Sequence, residues 1–152
     1  MTFDKYMSPM SDAELKAACR RIRHVALDMD GTIYLGSQLF PWTKGFLQKL
    51  TDNGIGYSFL TNNPTRSLED YVKKLHGMGI VASRDEVYTT AVATIDYLKT
   101  HFPGARRLFV LGTPSMTSEF EAAGFEMCAD DPADRPDVLV VAFDTTLVYP
   151  RL

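Results

Sequence analysis

The strongest constraint on this chain is an alternation. Two short apolar runs, "HVALDMD" and "YSFLTNN", each precede an amphipathic stretch opened by a proline, Pro41 in the first case and Pro64 in the second. Val25 to Leu27 are apolar at successive positions, as in a strand buried on both faces. Phe46, Leu47 and Leu50 after Pro41, and Leu68, Val72 and Leu75 after Pro64, recur at helical spacing. Between the first strand and its helix, "TIYLGSQLF" reads as a hairpin turning near Gly36 and Ser37. The order β, α, β, α predicts a parallel, doubly wound α/β sheet with helices on both faces and ligands at the carboxyl ends of the strands.

The pattern continues with a third strand in "EVYTT" and a helix in "TAVATIDYLKTHF" that ends at Pro103 and Gly104. A second α/β unit follows: strand "RLFVLG", helix "SMTSEFEAAG", a loop "ADDPADRPD" and strand "VLVVAF". Ahead of the first strand, "SDAELKAACRRIR" predicts a helix capped by Ser11 and Glu14, with its arginines at the cationic end. The expected organisation is a leader helix over 1–22, an N-terminal core portion over 23–99 and a partial second domain over 100–152.

Composition excludes several function classes. The 152 residues are 45% hydrophobic and 23% charged, the balance of an ordinary soluble globular protein. A net charge of −3 with intermixed signs offers no basic face, so nucleic acid is not an expected partner. Cys19 and Cys128 lack metal-ligand spacing and read as reduced thiols. The longest apolar run, Val138 to Phe143, is too short to span a bilayer, and no signal peptide is evident; the expected location is the cytoplasm, with no membrane partner. His24, His76 and His101 read as structural, and the glycines of "GTIYLGSQ" lack the Lys-Ser/Thr of a phosphate-binding P-loop.

Chemistry concentrates at the first strand's end. If the strand runs through both acids, Asp28 and Asp30 share one face and converge. Paired carboxylates repel unless a cation binds between them, and a hard divalent ion such as Mg²⁺ suits an all-oxygen donor set. One carboxylate can then attack phosphorus while the other moves protons to and from the leaving oxygen and water. Gly31 permits a sharp bend beside the substrate, and Thr32 is placed to orient an acid through its hydroxyl. At the second strand end, Thr61 and Asn62 offer neutral donors, and the free N–H groups of the helix after Pro64 predict an anion site.

These residues carry a resemblance. "DMDGTIYLG" resembles the first motif of the haloacid dehalogenase superfamily, and "FLTNNPTRS" is similar to the second motif of its NagD-like phosphatase branch, which "YTTAVATIDYL" and "GARRLFVLG" also follow. The resemblance implies a Rossmann-like core with part of an inserted α/β cap from about Thr100. It further implies Asp28 as nucleophile, Asp30 as general acid and base, and Mg²⁺ held by the Asp28 carboxylate and the Asp30 backbone carbonyl, with Thr61, Asn62, Gly31 and Asn63 as the expected phosphate-binding residues. Activity would be hydrolysis of a small phosphate monoester, such as a sugar or nucleotide phosphate, with dimers formed through caps.

The family completes its site after the cap with a lysine, a Gly-Asp pair and a further acid, and this chain is expected to be truncated before them. Asp130, Asp131 and Asp134 read as a solvated turn rather than replacements. Arg66 could meet a substrate anion or simply face solvent, and Asp144, Thr145 and Tyr149 follow the last strand where a cap loop could approach the site. Two other readings stay open: a module phosphorylated on Asp28 for signalling, and an inactive fragment of such an enzyme. Phosphotransfer to an acceptor other than water shares the same first half-reaction.

Overall fold

The computed structural model describes residues 10–144 and 147–149. Helix α1 (Asp12–Cys19) starts at Ser11 in the expected capping box with Glu14, and none of its residues is buried. The helix closes before the arginines: Arg20 is its C-cap, and only Lys16 lies in its last turn. Strand β1 (His24–Asp28) leads into a hairpin, β2 (Tyr34–Leu35) and β3 (Gln38–Leu39), that turns through Gly36 and Ser37 as expected.

Helix α2 (Thr43–Asp52) buries Thr43, Leu47 and Leu50, while Phe46 stays largely in solvent, so the buried stripe is narrower than expected. Strand β4 (Gly56–Leu60) follows, then α3 (Leu68–Gly77), a short 3₁₀ turn over Arg84–Glu86, β5 (Val87–Tyr88) and α4 (Thr90–His101). Helix α3 begins four residues after Pro64, because Ser67 is its N-cap in a capping box with Asp70. Pro64 therefore belongs to the preceding loop.

β1, β4 and β5 form one parallel sheet with β4 central. The register pairs Asp28 with Leu60 and Leu60 with Tyr88, placing these three in one row at the sheet's carboxyl edge. Phe59, one residue earlier, is fully buried in a cluster with Leu27, Met29, Ile33, Tyr34, Tyr71 and Leu75. Burying a side chain of that size stabilises by about 1.5–3 kcal/mol relative to leaving it in water.

The second unit is a parallel sheet with β6 (Arg107–Leu111) central, flanked by β7 (Glu126–Met127) and β8 (Val138–Val141), with α5 (Pro114–Ala122) following β6. β7 falls where the sequence pattern gave no strand. Leu108, Val110, Met116 and Phe120 form its core together with Ala91 and Leu98 of α4, so α4 packs mainly with this second cluster. The loop expected as a solvated turn is exposed, and hydrogen bonds also tie it down. Asp134 pairs with Arg107 and accepts the Ala129 N–H, and Asp137 accepts the N–H groups of Arg106 and Arg107. Asp131 serves as a turn acceptor for Ala133.

The units meet at the start of α3. Ser115 Oγ donates to Asp70 Oδ2 at 2.7 Å and accepts the Ser67 N–H at 3.0 Å, Glu119 accepts the Leu68 N–H, and Thr113 Oγ1 donates to the Thr65 carbonyl. Side chains of α5 thus satisfy backbone donors at the start of α3 that would otherwise be orphaned.

Candidate active site

Strand β1 stops at Asp28, so strand geometry does not carry Asp30 to the same face as expected. A kink does. Met29 is wholly buried, its carbonyl accepts the N–H groups of Thr32, Ile33 and Tyr34, and Asp28 and Asp30 remain solvent-facing on either side. Gly31 makes the turn at φ +82°, where a residue with a Cβ is strained. Its own N–H donates to the Tyr34 carbonyl at 2.8 Å.

Each acid has its own holder. The Thr32 hydroxyl donates to Asp28 Oδ2 at 3.1 Å, the role anticipated for it. The Tyr34 hydroxyl lies 3.5 Å from Asp30 Oδ2, and Lys74 Nζ lies 3.8 Å from Asp30 Oδ1. Burial, then the neighbouring Asp30 charge, pushes the Tyr34 phenol well above its usual range, so it stays a neutral donor. Burial also lowers Lys74, against an opposing pull from Asp30.

The second loop is braced rather than open. Thr61 is nearly buried: its hydroxyl donates to Tyr71 Oη and accepts the Asn63 N–H. Tyr71 Oη donates to the Asn63 carbonyl, while the Asn63 side-chain oxygen accepts both the N–H and hydroxyl of Thr65. Asn62 is exposed at the strand end. The anion site expected from free N–H groups at the following helix is not found, because those of Ser67, Leu68 and Asp70 are taken by Asp70, Ser115, Glu119 and Ser67.

Asp28, Leu60, Thr61, Asn62, Tyr88 and Thr89 line an open pocket of about 350 Å³, closed on one side by Thr90 and Ala93 of α4. Thr90 Oγ1 in the pocket wall is shielded from solvent and has no hydrogen-bond partner among the described residues, a feature without a signal in the sequence. Tyr34, Tyr71 and Lys74 were also missed. Tyr71 and Lys74 stand one helical turn apart on α3, a spacing that was visible in the sequence. Arg66 is exposed, and its charge reaches Tyr34, Tyr71 and Lys74. Asp144 lies beyond β8 and does not line the pocket, Tyr149 is exposed, and Thr145 lies outside the described residues. His24 and His76 are structural, bonded to Ser58 and to the Ala82 carbonyl.

Among the described residues no three or more His, Cys, Asp or Glu side chains gather as a metal cluster, and no helix is long and apolar enough to cross a membrane. The oxygen donors nonetheless suit a hard cation. Both carboxylates are exposed, and no backbone N–H among the described residues donates to the Asp30 carbonyl, which leaves that oxygen available.

A family profile described as haloacid dehalogenase-like hydrolase matches residues 25–126, spanning both motifs and the pocket. The chain belongs to this family. An acid sugar phosphatase of Staphylococcus saprophyticus is 33% identical over 126 residues, 83% of this chain and 47% of the relative. Among solved structures, the 4-nitrophenylphosphatase of Thermotoga maritima superposes with a TM-score of 0.79 at 38% identity, covering 87% of this chain and 49% of that one. NagD from Escherichia coli K-12 gives 0.72 at 25% identity, covering 86% and 50%. The glycerol phosphate phosphatase Rv1692 of Mycobacterium tuberculosis, solved in complex with magnesium, also gives 0.72 at 25%, covering 86% and 39%. These relatives place the chain in the NagD-like branch, with the HAD fold as anticipated. The chain spans about half the length of the curated relatives it matches.

Proposed function

We propose that the chain carries the nucleophile half of a Mg²⁺-dependent phosphatase acting on a small cytoplasmic phosphate monoester, a sugar or nucleotide phosphate or a similar metabolite, through an aspartyl-phosphate intermediate. The observation that carries this reading is the pair Asp28 and Asp30, turned outward around buried Met29 at the carboxyl edge of the sheet. Thr61 and Asn62 stand in the same pocket as Asp28.

In the first half-reaction an Asp28 carboxylate oxygen bonds to phosphorus, the ester P–O bond breaks, and the leaving oxygen takes a proton from Asp30. In the second, Asp30 removes a proton from water, the water oxygen bonds to phosphorus, and the P–O bond to Asp28 breaks to release inorganic phosphate. Thr32 keeps Asp28 aimed. Asn62, exposed in the pocket lining, supplies a neutral donor to a phosphoryl oxygen. Mg²⁺, held by the Asp28 carboxylate and the Asp30 carbonyl, would neutralise phosphate charge and so permit attack by an anion. Self-association, which the family resemblance implies, would use the second unit, where Leu139, Val141 and Phe143 stand exposed on and just past edge strand β8.

The test is phosphate release from a panel of monoesters with and without Mg²⁺, beside the Asp28→Asn variant. Metal-dependent release that the variant loses is the expected result. Full activity in Asp28→Asn would overturn the assignment.

A further inference from the structure

We propose that Lys74 and Tyr34 are positioning residues that together hold the Asp30 carboxylate in the orientation proton transfer requires. The reaction they serve rests on the phosphatase reading above; the clamp itself rests on geometry. Asp30 projects from a kinked loop with 48% of its side chain exposed, so its orientation depends on the groups that reach it. The two holders take different oxygens, the Tyr34 hydroxyl on Oδ2 at 3.5 Å and Lys74 Nζ on Oδ1 at 3.8 Å.

The holders also fix each other. Lys74 Nζ sits 3.9 Å above the centroid of the Tyr34 ring, a cation–π contact. Tyr34 is fully buried, and its backbone is pinned by the Gly31 N–H and by the Met29 carbonyl. Lys74 lies on α3 with only 19% of its side chain exposed, and Asp30 is the carboxylate it pairs with. The two contacts approach the carboxylate from different oxygens and so fix its orientation.

The kinetic test uses leaving groups. An alkyl phosphate such as glycerol phosphate needs its leaving oxygen protonated, whereas 4-nitrophenyl phosphate releases a stable phenolate, so in kcat/KM, which reports the first half-reaction, a misplaced acid harms only the alkyl ester. Lys74→Met keeps the aliphatic stem and should lower kcat/KM for the alkyl ester about tenfold more than for the aryl ester, a fraction of the 10²–10⁴ that acid–base catalysis supplies. Tyr34→Phe should show the same selectivity to a lesser extent, and Lys74→Arg should recover most of the loss. Equal losses on both esters would overturn the proposal by making Lys74 merely structural.

A second measurement needs no turnover. Urea unfolding of Lys74→Met, Asp30→Asn and the double variant should show a double loss smaller than the summed single losses. Additive losses would overturn the clamp whatever the kinetics. If the wild-type chain releases phosphate from neither ester, the phosphatase reading fails, and this cycle alone decides the clamp: non-additivity supports it and additivity removes it.

Discussion

The Thr32 hydroxyl donates to Asp28 Oδ2 across 3.1 Å, so the residue four places downstream of the proposed nucleophile sets its orientation from within the same kinked loop. Both groups are exposed, and their bond therefore adds little to folding. Thr32→Val should reduce kcat about tenfold, equivalent to about 1.4 kcal/mol at the transition state, while moving the unfolding midpoint hardly at all. Thr32→Ser should keep most of the activity. Steady-state kinetics beside thermal unfolding checks both.

Gly31 separates conformational strain from crowding. At φ +82° an added Cβ is strained by about 1–2 kcal/mol, yet that Cβ would meet no atom within 4 Å. Gly31→Ala should therefore lower stability by that strain alone, read from denaturant midpoints. Its effect on turnover should be larger than on folding, because the same bend turns Asp30 outward just past the strand end.

Much of this was legible in the sequence. Strand-forming runs, capping residues and the Asp-x-Asp-Gly-Thr spacing are local signals, and they located β1, α1, the hairpin and both acids. What stayed hidden depends on the second unit or on side-chain reach. Pro64 looks like a helix opener, but the Ser67–Asp70 capping box prevails, and the N–H groups of Ser67 and Leu68 are claimed by Ser115 and Glu119 from 48 and 51 residues away. The two residues of β7 are too few to show a period. Lys74 carries no motif, and only the fold reveals that it reaches Asp30.

Ser115 links the two units through Asp70, and its removal should be felt in a pH-dependent way. Hydrogen bonds from Ser115 first, then Ser67, hold the Asp70 carboxyl below its ordinary 3.8. A depressed acid contributes stability above its unfolded value and loses it as pH falls through the folded one. Ser115→Ala should therefore cost about 0.5–1.5 kcal/mol at neutral pH. The difference from wild type should shrink once Asp70 is protonated. Urea unfolding at neutral and strongly acidic pH measures it.

Glu119 sits at the same junction and responds in the opposite sense. Burial raises its carboxyl above the ordinary 4.5, outweighing the Leu68 N–H and the Arg84 charge, and its Oε2 is shielded with no partner among the described residues. For an acid whose folded value is raised, the folded state binds the proton more tightly. Stability is then lost as pH climbs from the unfolded value through the folded one. Glu119→Gln keeps an oxygen for the Leu68 N–H and removes the buried charge, so it should be more stable than wild type at neutral pH by about 1 kcal/mol. That advantage should disappear in acid, where Glu119 is itself neutral. Unfolding free energies of the two proteins across the acid range give the test, and a Gln variant weaker than wild type at neutral pH would show that the Glu119 charge has a compensating partner.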